Sequence, residues 1–518
     1  MLAGEPDPRT REVVRQGAGT AFLRLHRDDR GVTVVLVALT LAALIGFTAL
    51  GVETGLWYVI KRQNQSAADV AALSGAFELL AGQSNGLSAN TIYPDICNLA
   101  KRDAARNNFT FNSFSCPSTT PACTNPSSGQ MCANNPPVLG GPGVLGNNDA
   151  VEVILSQQQN SFLASLSLPS VTIATRAVAA IRVLNNLCIL ALGTSGTDVL
   201  EQGNPSICLA PTSGGVCTPP GTCSIAANSN SASAIALGGN SSITAYTIVT
   251  PGGITTGGSS RTFLVSPAQV GVPPVPDPYQ PPTCSSSTPP LCLTHAFLTT
   301  GMPTLPPGLP CTKTVTIWSG NCVLTATPSV GDTLSDTTQI SGGLSFGGGA
   351  IHLKPGTYWV ADGDLTLQSG SGATLDCPTC TPGGAGVTII LTTAMSSGGT
   401  IGALTLGSNA NLNLNAPKSG PFAGLVLIQD SNGLPPGTPP PSSNSTAQAN
   451  AIETLNGLVY FPKTDMTFQG GPAAGSASCL VLIVKTVTLR GTPSFNDSGC
   501  TSAGLTALPT LKTVALAE

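Results

Sequence analysis

The sequence predicts a mostly β protein held by a single N-terminal transmembrane helix. That helix continues into an amphipathic stalk, a small α+β unit follows, and the rest reads as a β-solenoid of the parallel β-helix kind. Three observations predict this. Gly31 to Val52 is a run of 22 residues without a charge, all 16 cysteines lie beyond it, and short alternating strand patterns broken by Gly, Asn and Ser recur from about Leu187 onward.

The uncharged run reads GVTVVLVALTLAALIGFTALGV, and a helix of that length covers ~30 Å of hydrocarbon at ~1.5 Å per residue. A cleaved signal peptide has an apolar stretch of only ~7–15 residues after a short basic start, so a span is the better reading. Upstream lie Arg9, Arg11, Arg15, Arg24, Arg27 and Arg30; downstream, Lys61 and Arg62 are the only basic residues before Lys101. That bias places residues 1–30, a polar tail with at most a short helix at Thr10–Leu25, in the cytoplasm, and the bulk of the chain outside it.

The cysteines agree with that orientation, since an even set confined to the exported side reads as a disulfide framework. Sequence does not fix the pairing; Cys116 with Cys123 or Cys132, and Cys217 with Cys223, are plausible local staples. Cys377 and Cys380 have redox-motif spacing, but LDCPTCTPGG is a turn-rich loop with no strand feeding a helix, which favours a structural disulfide.

Past the span (31–52), Trp57 and Tyr58 sit where an interfacial anchor belongs, with Lys61 and Arg62 in reach of headgroups. In the stalk (53–82), Val70, Leu73, Phe77 and Leu80 recur at the spacing of one helix face. Ala68, Ala72 and Ala76 form a second row that permits close approach. This stripe must pack against either the protein's own outer domain or a partner helix. Glu53, at the outer end of the span, is either hydrated there or pairs with a partner's basic group. The candidate helix-partner contacts are therefore Glu53, Ala68, Val70, Ala72, Leu73, Ala76, Phe77 and Leu80.

Residues 83–185 read as the α+β unit: CNLAKRDAARNNF has helical composition, DAVEVILSQ and SVTIATRAVAAIRV alternate like strands, and Cys116 to Asn147 is a disordered Pro-, Asn- and Gly-rich insertion. Residues 186–275 and 326–518 are the two solenoid parts, with a Pro/Cys-rich connection at 276–325. Units such as SAIALGGNSSITAYTIV, GDLTLQSGSGATLD, GALTLGSNANLNLNA and KTVTLRGTPSFND each place a short strand on either side of a Gly-centred turn, as stacked rungs require. A β-sandwich is the rival architecture.

Only 9% of residues are charged, the net charge is −4, and no basic block could neutralise a row of phosphates, so nucleic-acid binding is excluded as a function class. Gly-Lys-Ser and Gly-Lys-Thr do not occur, which excludes a phosphate-cradling motor site. Gly-x-Ser-x-Gly appears as GQSNG (Gly82 to Gly86) and GLSFG (Gly343 to Gly347), neither at a strand-to-helix elbow. The best acid–base candidates are Asp362 and Asp364, with His352 and Lys354 nearby. Beyond the span only His295 and His352 could support histidine chemistry. A polar turn is the simpler reading of Asp362-Gly363-Asp364, and no cofactor or metal is expected.

RGVTVVLVALTLAALIGFTALGVETGLWYVIKRQNQSAADVAALSGA, Arg30 to Ala76, resembles the N-terminal segment of TadG-like proteins of the Tad (Flp) pilus assembly system. The matching positions are Arg30-Gly31 before the span, Glu53 and Gly55 at its close, Tyr58, and then Gln65, Ala68, Asp69, Ala71, Ala72, Leu73, Gly75 and Ala76. Glu53 stands where Asp is commoner in the family. LKPGTYWVADGDLTL (Leu353 to Leu367) and GLVYFPKTDMTFQG (Gly457 to Gly470) are similar to Gly-rich outer segments of its long members. Cleaved relatives carry Glu at the fifth position after the processed Gly, where this chain has Leu36, so the resemblance implies an uncut protein. It further implies a bacterial inner-membrane component of pilus assembly, N-terminus cytoplasmic, that performs no catalysis. Its partners would be the lipid bilayer, other Tad pilus assembly proteins, and the cell wall or glycans. The rivals are a membrane-anchored adhesin or glycan-binding protein, and a β-helix carbohydrate-active enzyme.

Overall fold

The computed structural model describes residues 29–84, 87–119, 122–162, 169–203, 205–210, 212–213, 216–217, 219–280, 292–304, 310–370, 372–441, 444–448, 454–470, 479–492, 495–505 and 508–518. The expected helix at Thr10–Leu25 lies outside them. Two compact units emerge: one comprises the chain up to Leu79, Ala89–Ala180 and Val514–Glu518, and the other Leu80–Ser88 and Ile181–Thr513.

The first unit is organised by helix α1, Asp29–Ser84, which contains no proline. In its apolar part and just past it, the hydroxyls of Thr40, Thr48 and Thr54 donate to the carbonyls of Leu36, Leu44 and Leu50 one turn back. A hydroxyl satisfied within its own helix can face hydrocarbon without needing water. Large side chains from Val34 to Val59 are exposed, whereas Ala67, Ala68, Ala71, Ala72, Ala76 and Leu79 are fully buried. Helix α2, Ala89–Arg106, turns Ile92, Tyr93, Ile96, Cys97, Ala100 and Ala104 inward.

Strands β1 (Gln130–Asn134), β2 (Ala150–Asn160) and β3 (Ser170–Ala191) form an antiparallel meander, with Met131 opposite Leu155 and Val153 opposite Ala177. The end of the chain completes the sheet, because the amides of Val178 and Ala517 donate to the carbonyls of Glu518 and Val178. Close packing of α1 explains its small residues: a Cβ on Gly75 would sit 3.0 Å from Val151 Cγ1 and 3.2 Å from Ile96 Cγ2.

The second unit is mostly β and built from parallel ladders. One runs, in spatial order, through Cys322–Leu324, Thr338–Ser341, Gly356–Ala361, Val387–Thr392 and Leu425–Gln429 to residues 457–461. It continues through residues 480–484, the end of β3, Ser224–Ala227, Ile248–Thr250 and Gln269–Val270. Spatial order is therefore not chain order, because β3 and the strands after it stack beyond the last strands of the C-terminal half. A second ladder includes Leu344–Phe346, Leu365–Leu367 and Leu404–Leu406, and a third includes Thr333–Leu334, Ala350–Leu353, Thr374–Asp376 and Asn411–Asn415. Neighbours along these ladders run parallel, unlike those of the antiparallel β-sandwich.

The ordering requires the connection after Val270 to travel back along the stack, and its contacts trace that path. Val275 exchanges two hydrogen bonds with the Asn228 side chain, at 2.7 and 2.8 Å. Asp277 accepts from Tyr460 Oη (2.8 Å), Gln280 donates to Ser431, and Leu298 O accepts from Trp359 Nε1 (2.8 Å). Val275, Tyr279, Leu293 and Leu298 cover Leu190, Trp359, Ile390, Ile428, Tyr460 and Ile483. Alternate residues of the same strands, such as Ile189, Val360, Leu391 and Val484, face a separate core. Burial on both faces is why these strands read as unbroken apolar runs, VTIILT and LVLIV. The third ladder is covered on one face only, and Asn411–Asn415, NLNLN, alternates half-buried with buried.

Two expected disulfide pairings are corrected. Cys116 bonds Cys97, and Cys123 bonds Cys132; Cys217 bonds Cys208, and Cys223 bonds Cys188. Proximity in sequence misled here, because parallel pairing sets Leu187 opposite Ser224 and so brings together two cysteines 35 residues apart. Cys311–Cys322, Cys377–Cys380 and Cys479–Cys500 are also bonded, and Cys292 lies in a further disulfide.

Candidate membrane and partner-binding segment

The segment from Glu53 to Leu80 holds every predicted contact residue. Glu53 is 4% exposed, and its Oε1 accepts from the backbone amide of Phe162 at 2.6 Å. It is thus held by its own chain at this point and not simply hydrated. One face of α1 continues from there into the sheet: Asn64 O accepts from Thr175 Oγ1, and Gln65 Nε2 donates to Arg176 O and Asp69 Oδ1. Ser74 Oγ donates to Asp103 Oδ2 at 2.7 Å. Partial burial pushes the Asp103 carboxyl up, but the Ser74 hydroxyl and the Arg102 and Arg106 guanidiniums outweigh it and leave the group below its ordinary value.

The alanine row is used within the first unit, with Ala68, Ala72 and Ala76 at zero exposure; Leu80 is buried as well. Val70 and Leu73 are half-buried, and Phe77 is 42% exposed. The chain's own sheet and α2 therefore take the small residues, and of the predicted stripe Phe77 presents the most surface.

Sequence reasoning missed a second feature of this unit, an ion cluster. Arg176 Nε lies 2.5 Å from Oε1 of the fully buried Glu152, and its Nη1 lies 2.6 Å from Glu518 Oε2. Glu152 also accepts from Asn134 Nδ2 and the Val138 amide. Its one signal in sequence is a charge between two apolar residues in Val151-Glu152-Val153.

The two aspartates weighed for chemistry are held mainly by backbone amides. Asp362, with φ +57° just past a strand, accepts from Thr393 Oγ1 and from the amides of Ala394 and Thr400, and Asp364 accepts from the Ala403 amide. His352 does not join them; its Nδ1 lies 2.5 Å from Asp376 Oδ1, on the adjacent strand in register. His295 Nδ1 pairs with buried Asp430 at 2.6 Å. The sulfurs of Cys188 and Cys223 lie near Asp497 but are joined to each other. In GLSFG, Leu344–Phe346 is a strand of the second ladder, whereas GQSNG ends outside the described residues.

Residues 31–78 match the model of the family described as putative Flp pilus-assembly TadE/G-like. The N-terminal segment is TadE/G-like. The match begins with the apolar run and ends inside α1, so it coincides with the stretch that carries the resemblance in sequence and covers under a tenth of the chain. It associates the chain with Flp pilus assembly through that segment. No curated protein and no solved structure matches. By length and composition α1 is able to cross a membrane once, consistent with a single-pass anchor.

Proposed function

We propose that the protein is a membrane-anchored structural component of Flp pilus assembly, seated in the bacterial inner membrane with its N-terminus in the cytoplasm and the rest exported. The observation that carries this reading is the coincidence of the TadE/G-like match with a helix whose apolar part is exposed and whose alanine-rich part is packed. The six basic residues before the span and the disulfides after it support the orientation. The parallel ladders support winding as a β-solenoid, whose long sides suit contact with other pilus assembly proteins. The half-buried polar row of Asn411, Asn413 and Asn415, beside Thr374 and Asp376, supports a further contact with cell wall or glycans. In this reading no residue performs chemistry, and the protein acts by holding partners.

The test is deletion of the gene in its host, with surface pili counted by electron microscopy after wild type or Phe77→Asp is reintroduced. Loss of pili, restored by wild type and poorly by the variant, is expected. Normal piliation in the deletion strain would remove the assembly role.

A further inference from the structure

The hydrogen bond between Glu53 and Phe162 fixes a depth as well as a contact. Glu53 directly follows Val52, the last residue of the uncharged run, so when residues 31–52 fill the hydrocarbon its carboxylate lies at the hydrocarbon edge. Trp57 and Tyr58, the residues suited to the headgroup belt, lie four and five positions further on, ~6–8 Å higher along the helix. A carboxylate at that level is costly unless a donor meets it, and the Phe162 amide does so at 2.6 Å.

Phe162 stands at the turn end of the β2–β3 hairpin. The strands stay in register to Asn160 opposite Ser170, and the Ser161 amide still donates to Pro169 O at 3.0 Å. The same hairpin is tied to α1 further along, at Asn64 and Gln65. Strands β2 and β3 therefore run down the helix toward the membrane, and Phe162 lies below the aromatic belt. There the Phe162 ring is 85% exposed. In water an open phenyl ring gains nothing from burial, whereas among lipid headgroups and upper acyl chains it is favoured.

We propose that the Phe162 ring, at the end of β2, enters the exported-side leaflet beside the span, so that the protein grips the bilayer at two points and not one. This rests on the reading of residues 31–52 as a span. Two attachments differ from one in consequence: a lone helix is free to rotate about its axis and to tilt, and a second contact beside it fixes which face of α1 is turned toward partners.

The test uses the full chain in phosphatidylcholine vesicles, with and without bromine near the top of the acyl chains as a tryptophan quencher. Phe162→Trp is made in a Trp57→Phe background, and the emission of Trp318 and Trp359, measured in Trp57→Phe alone, is subtracted. The introduced tryptophan is expected to lose emission about twofold in the brominated vesicles, as is Trp57 in the parent chain, both being interfacial. Quenching of Trp57 without quenching at position 162 would overturn the inference and leave the anchor standing. Absence of quenching at both positions would instead remove the span reading and this inference with it.

Discussion

Each unit buries a glutamate completely, and the two are handled in opposite ways. Glu152, in the antiparallel sheet of the first unit, is met by Arg176, Asn134 and the Val138 amide. Glu201, in the second ladder of the other unit, has neither oxygen hydrogen-bonded in normal geometry, and the Ser241 hydroxyl nearby is donated to Ser260. Burial pushes its carboxyl up to about 8, the hydroxyl opposing only weakly. Arg176 stands on β3, the strand paired with β2, two positions from Val178 opposite Glu152, so the cation comes from within the same sheet. Glu201 has only Leu489 and Leu237 opposite it on the neighbouring strands, so the group is neutralised by holding its proton.

The sharpest way to break this contrast is Arg176→Met, which leaves Glu152 buried without its cation and should cost about 3–5 kcal/mol. Urea unfolding of the purified chain would measure it, and a loss below about 1 kcal/mol would mean that Asn134 and Val138 suffice.

Glu201 should give a pH signature instead. Below its ordinary value of 4.5 the group is protonated in both folded and unfolded chains, and the full stability is present. As pH rises from there toward about 8 the unfolded chain releases its proton while the folded one keeps it, so stability falls, then levels off. The expected loss is up to a few kcal/mol. Melting curves across this range should slope downward for wild type and less steeply in Glu201→Gln, because burial also raises Asp198, to about 6, and that contribution remains.

A similar contrast divides α1. Its first half shows large apolar side chains and its second half hides small ones, so burial in this helix follows the size of the neighbour it must admit and not hydrophobicity alone. Ala72→Trp should overpack the first unit by about 1–3 kcal/mol and expose it to protease, whereas Leu44→Trp, facing lipid, should leave protease resistance unchanged. Equal effects would show that the two halves are not distinguished by packing.

Most of what sequence disclosed here is local. The apolar run, the alanine row and the Gly-punctuated strands each carry their signal within about ten to twenty residues, and the parallel strands and TadE/G-like segment were legible from them. What sequence hid is long-range. Nothing in CILALG announces that Ile189 will lie opposite Leu482, or that Cys188 will meet Cys223 and not leave Cys223 to Cys217. The Pro-rich connection was readable as a crossing, but its route back along the stack depends on that hidden order. Glu53 met a backbone amide 109 residues away, and an amide leaves no mark in a sequence.

The smallest expected effect bears on the carboxylates weighed for catalysis. Asp364 Oδ1 accepts one backbone amide, from Ala403, at 2.8 Å. Asp364→Asn keeps a carbonyl oxygen in the same place while removing the charge, so a residue that merely braces a loop should lose less than about 0.5 kcal/mol. A carboxylate used as an acid or base would behave differently: the same substitution would leave melting unchanged yet abolish any hydrolysis of glycans by the wild-type chain. Unchanged melting together with no glycan cleavage by either protein would place Asp364 with Asp362, as a residue whose charge serves the turn.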